Sequence, residues 1–196
     1  MQLAKIRSLV ASLILLAAVA APAKAQLPWQ AVATPIYPQR IWLQLVPPPL
    51  RHGEAAQVLE RMRIDLWRIC GQLRAMQGIA IEASNGLLTE ADRALLNVQF
   101  QARKQRIADI AAASQVNGLA LLDGTHSYVL LQIRPARLEF RQEYLQDVRP
   151  TALGIESADV ITVANSGTAL AACDSALDSV AYALLQRRAA AQALGL

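Results

Sequence analysis

Leu59, Met62, Leu66, Ile69, Leu73, Met76 and Ala80 follow one another at alternating spacings of three and four residues. On an α-helix this spacing draws one apolar seam, the a/d pattern of helices that pack lengthwise on a partner. A helix carrying such a seam is stable only where another element covers it, so this stretch dictates a bundle. Glu54 and Glu60 stand early in it, with Arg68 and Arg74 late, as the helix dipole favours. Arg61 and Asp65, four apart, are expected on the exposed side, where such a pair contributes a few tenths of a kcal/mol. Gly78 weakens the last turns by roughly 1 kcal/mol relative to alanine.

Ser84-Asn85-Gly86 breaks this helix, and Asn-Gly is expected to supply a positive φ for the reversal. Thr89 caps a second helix, Glu90 to about Ser114, with Asp92 in the place of the capping-box Glu; its shorter side chain predicts a weakened box. This helix carries two apolar stripes, Ala91, Leu95, Val98, Ala102 and Leu96, Phe100, Ile107, Ile110, which predict two neighbours. Arg103, Lys104 and Arg106 form a basic patch, read as a solvated face. Asn117-Gly118 is expected to stop the helix.

Residues 127–144 read as a β-hairpin, with Tyr128, Leu130, Leu138 and Phe140 alternating and a turn at Arg134-Pro135-Ala136. Leu130-Leu131 blurs its register. Asp159 to Val163 is a short strand candidate, and Asn165 or Ser166 is expected to cap a last helix. There Leu170, Cys173, Leu177, Val180 and Leu184 resume the heptad, ending with Ala191 and Leu194. The fold class expected is mainly α: an elongated, coiled-coil-like bundle of three helices with an attached β-hairpin, over residues 54–196.

Ahead of the bundle, residues 1–25 read as a secretory signal peptide: Lys5 and Arg7, an apolar run from Leu9 to Ala20, then Ala23-Lys24-Ala25. A run of about a dozen residues is short for a bilayer, so no stable membrane span is expected once the leader is cleaved, and the chain is expected in the periplasm or outside the cell. The leader holds three of the positive charges behind the net +4, leaving about +1 for the remainder. That balance does not support a nucleic-acid surface. Residues 26–53 are a proline-rich linker in character, yet Trp29, Tyr37, Ile41 and Trp42 are apolar. Two readings stay open there: packing along a groove of the bundle, or a peptide offered to a protein partner. Arg40 to Val46 is a candidate edge strand.

No catalytic constellation, phosphate loop or metal set emerges, and no cofactor is expected. His52 and His126 flank the bundle without carboxylates at ligand spacing. Cys173 takes a heptad core position and Cys70 flanks the seam of the first helix. Antiparallel packing leaves open a disulfide between them, contributing about 2–4 kcal/mol, or two buried thiols.

The stretch from Glu82 to Gly124 resembles the core of bacterial flagellin. The corresponding features are Asn85-Gly86, Asp92-Arg93, Val116-Asn117-Gly118 and Leu121-Leu122-Asp123-Gly124. Downstream, Ala152-Leu153-Gly154-Ile155, Asp159-Val160 and the run Ala169 to Val180 resemble the start of flagellin's carboxy-terminal helix. The resemblance implies a non-catalytic structural subunit that associates with flagellin or with itself. It also implies departures: neither the family's terminal polymerisation helices nor its variable outer domain is recognisable. A Sec-exported, non-polymerising binding module is the alternative.

Overall fold

The computed structural model describes residues 49–134, 136 and 138–196. The leader, most of the proline-rich linker and the candidate edge strand at Arg40 to Val46 lie outside the described residues.

Helix α1 spans His52–Ala83, starting slightly before Glu54, whose carboxylate accepts the Arg51 N–H at 3.0 Å. At 1.5 Å per residue its 32 residues extend about 48 Å. Its seam is buried from Ala55 through Val58, Met62, Leu66, Ile69, Leu73, Met76 and Ala80 to Ala83. Arg61 and Asp65 do not form the exposed pair expected. Asp65 is 1% exposed and takes both the Arg61 Nε at 2.6 Å and the Arg68 guanidinium at 3.3 Å.

The turn after α1 contains no positive φ, correcting the expectation for Asn85-Gly86. The Asn85 side chain makes the reversal instead, its Oδ1 accepting the Leu87 N–H at 3.0 Å, an Asx turn. Helix α2, Glu90–Ala113, follows. Its capping box closes fully despite the short Asp: Thr89 N–H donates to Asp92 Oδ2 at 3.1 Å, and Asp92 N–H to Thr89 Oγ1 at 3.2 Å.

Helix α2 ends before the Asn-Gly pair. Asn117 (φ 51) and Gly118 (φ 79) form the two-residue loop between β1, Gln115–Val116, and β2, Leu119–Ala120. Paired positive φ values are what a tight hairpin requires, so this turn reverses a strand rather than capping a helix.

Strands β3, Tyr128–Arg134, and β4, Glu139–Tyr144, form an antiparallel hairpin with Tyr128 opposite Tyr144 and Gln132 opposite Phe140. The core face is the reverse of the one expected. Val129 and Leu131 are buried, whereas Leu138 and Phe140 are exposed. Leu50 bridges Leu131 in parallel, donating to Leu130 O at 2.7 Å and accepting from Gln132 at 2.9 Å.

The strand expected at Asp159 to Val163 is absent. Asp159 Oδ1 accepts the Ile161 N–H at 3.1 Å and the Asn165 amide at 2.7 Å, bending the chain into a cap. Thr162, not Asn165 or Ser166, is the N-cap, accepting the Asn165 N–H at 3.0 Å. Helix α3 then runs Val163–Leu194 and stops at Gly195 (φ 78).

The α3 seam is Ser166, Ala169, Cys173, Ala176, Val180, Ala183, Arg187, Ala190 and Leu194. It shares Cys173, Val180 and Leu194 with the expected heptad, while Leu170, Leu177 and Leu184 are partly buried flanks. Small residues on α3 thus face large ones on α1. Gln77 bonds Asp174, while Leu59 and Arg63 lie beside Arg188 and Ala191, so α1 and α3 are antiparallel. By length and composition alone α3 is apolar enough to cross a membrane, but one face is this seam. The described residues form a mainly α bundle with an attached hairpin.

Candidate assembly surface

Each motif singled out in the sequence holds a joint. At one end of α2, Arg93 reaches back to Asn85 O at 3.0 Å, tying the second helix to the turn that precedes it. Beside it, the hydrogen bonds from Thr89 hold the Asp92 carboxyl below its ordinary range. At the other end, Leu121 and Leu122 are buried, and Leu122 O accepts the Val148 N–H at 3.0 Å. Asp123 Oδ1 accepts the Thr125 N–H at 3.0 Å, which lowers its carboxyl pKa. Gly124 has φ +76, and a Cβ there would stand 2.6 Å from Asp147 Oδ2. Asp147 is in turn clamped by Arg149, with Nη2 to Oδ2 at 2.6 Å; these bonds hold its carboxyl low. The two groups of motif residues sit at opposite ends of the 24-residue α2, about 36 Å apart. They are turns at the two ends of one helix, not parts of a single pocket.

The segment 145–161 bridges α2 and α3. Gln101 Nε2 and Lys104 Nζ donate to Ala158 O at 3.1 and 3.0 Å, and Lys104 also to Glu156 O at 2.6 Å. Asn97 Oδ1 accepts the Val160 N–H at 3.2 Å. The solvated basic patch is therefore split. Partial burial lowers the Lys104 pKa, opposed by Glu156 and Asp159, while Arg103 turns to Gln72 at 3.3 Å.

Two groups that the sequence did not reveal fasten the hairpin. Arg187 and Glu143 form an ion pair with both side chains 4% exposed, and Arg187 Nη2 also donates to Tyr144 O at 2.6 Å. Burial pulls the Arg187 pKa down against the raising effect of Glu143. The signal was available: a seam counted on alanines places Arg187 in it.

Cys70 and Cys173 are both buried free thiols; the structure does not join them. The Gln77–Asp174 contact sets Cys173 nearly level with Gly78. Cys70 is eight residues away along α1, an axial offset of about 12 Å, beyond the roughly 7 Å Cα separation that a disulfide tolerates. Burial pushes the Cys70 thiol up and the Cys173 thiol up to about 11, Asp174 adding to the latter.

Among the described residues no group of three or more His, Cys, Asp or Glu side chains could hold a metal ion. What the surface offers instead is apolar. Leu95 (65% exposed) and Val98 (67%) lie with Ala91 and Ala102 on the outer face of α2, so among the described residues the second stripe has no neighbour, contrary to expectation. A groove between α1 and α3 is lined by Leu59, Trp67, Leu184 and Leu185.

No protein-family model matches the chain. A flagellin of Halalkalibacterium halodurans is 31% identical over 110 residues, 55% of this chain and 40% of the relative. The crystal structure of Bacillus cereus flagellin superposes with a TM-score of 0.66 at 20% identity, over 74% of this chain and 86% of that one. The chain is flagellin-like. It spans about 40% of the length of the curated flagellin it matches. In this flagellin-like bundle the sequence motifs sit at the turns described above.

Proposed function

We propose that this flagellin-like chain is a structural protein, without catalysis, that associates with the bacterial flagellar filament through contacts with flagellin or with itself. The observation that carries the reading is the shared fold: the superposition reaches 86% of the Bacillus cereus flagellin chain. Its supports are a scaffold held by buried seams and polar clamps, and apolar faces on α2 and between α1 and α3 that no described residue covers. Export through the leader at residues 1–25 belongs to the proposal, as does the division into leader, linker 26–53 and bundle 54–196.

Cell fractionation with an antibody against the bundle tests it. The protein is expected in the sheared appendage fraction with flagellin. Recovery solely as a soluble periplasmic monomer would replace this reading with that of an exported binding module.

A further inference from the structure

The outer face of α2 is a second seam. Ala91, Leu95, Val98 and Ala102 repeat at spacings of four, three and four and are all exposed, directly opposite the face that Leu96, Phe100 and Ile107 bury against α1. We propose that this seam pairs with the same seam of a second copy, antiparallel, in a two-fold dimer.

The stripe is close to palindromic. Antiparallel pairing about a point between Leu96 and Asn97 sets Leu95 against Val98 of the second copy and Ala91 against Ala102. Small residues at both ends let the helices approach, with the larger ones at the centre. The charges agree with that direction. Helical geometry puts Asp92, near the start, and Arg103, near the end, on the same edge of the stripe. Antiparallel pairing brings Asp92 of each copy within a turn of Arg103 of the other, twice by symmetry, in exchange for the exposed bond of Arg103 to Gln72. Parallel two-fold pairing would instead set this edge of one copy across the interface from the same edge of the other, and the attraction would be lost.

One short helix face offers less than the roughly 800 Å² per partner of a stable interface, so the pairing is a concentration-dependent equilibrium. A two-fold contact uses the same patch on both copies and closes at two. It does not propagate.

Sedimentation velocity on the whole chain tests the proposal, with a monomer–dimer Kd expected in the range of about 10 μM to 1 mM. Leu95→Glu and Val98→Glu are each expected to weaken association at least tenfold, with an unchanged circular dichroism spectrum and urea midpoint, because both side chains face solvent in the monomer. A second arm reads direction by oxidative cross-linking. Ala91→Cys alone should give no linked dimer, whereas a mixture of Ala91→Cys and Ala102→Cys chains should link. A chain that stays monomeric up to about 1 mM, dimers indifferent to both glutamates, or self-linking by Ala91→Cys would each overturn the proposal.

Discussion

Arg187 of α3 and Glu143 of β4 face each other with both side chains 4% exposed, so the β-hairpin is anchored to the bundle by an ion pair almost closed to water. Removing one partner of such a pair strands a charge, whereas removing both leaves only packing to restore. Arg187→Met alone should destabilise the fold by about 3–5 kcal/mol, and Arg187→Met with Glu143→Leu should recover most of that loss. Urea denaturation of the single and double variants measures the difference; additive losses would show that the two groups act separately.

The α1–α3 seam depends on small residues. Ala176 is buried in the α3 seam, so Ala176→Leu should overpack it and cost about 1–3 kcal/mol. Leu66→Ala, on the other side, should cost about 2–5 kcal/mol through the cavity it leaves. Thermal unfolding of both variants checks the assignment.

Gly124 and Gly118 both adopt positive φ, but only Gly124 lies against another side chain, Asp147. Gly118→Ala should cost about 1–2 kcal/mol, from backbone strain alone, and Gly124→Ala roughly twice as much. Equal losses by chemical denaturation would mean that the clamped Asp147 yields to a methyl group at no expense.

Asp92, Asp123 and Asp147 are all held below the ordinary carboxyl range by hydrogen bonds, and Arg149 holds Asp147. Each therefore contributes stability above the unfolded value of about 3.9, and that contribution is lost as pH falls through the lower folded value. Stability should decline on acidification below about pH 4, and Asp147→Asn should flatten the decline. Urea midpoints measured from neutral pH down to strong acid test this.

The thiols supply another check. With Cys173 pushed up to about 11 and both cysteines buried, neither presents a thiolate near pH 8. A disulfide reagent should find none in the native chain and two in guanidinium without reductant. Silence in guanidinium would mean that the bridge exists.

The α1 seam was legible in the sequence because its three-four positions are filled mainly by Leu, Met and Ile, with no competing stripe. On α3 the same count went to Leu170, Leu177 and Leu184, because hydrophobicity ranks leucine above alanine. Close helix approach prefers the reverse, and the seam went to Ala169, Ala176, Ala183 and Ala190. With the seam misplaced, the burial of Arg187 against Glu143 was missed. Local chemistry decided the other differences. The Asp159 carboxylate turned a strand-like run into a helix cap. Adjacent Leu130 and Leu131 left either face of the hairpin open, and packing chose Leu131. The motif turns were found, but the loop that packs against Gly124, Asp147 to Arg149, carries no pattern of its own.

The proposed structural role rests on α1 and α3 closing on each other within a single chain, in the register marked by Gln77 and Asp174. Cross-linking of a Gln77→Cys, Asp174→Cys chain, with Cys70 and Cys173 changed to alanine, measures that directly. Rapid linkage inside the monomer is predicted, with none for Gln77→Cys paired with Arg188→Cys. Failure of the first pair to link, or linkage only between chains, would contradict the account.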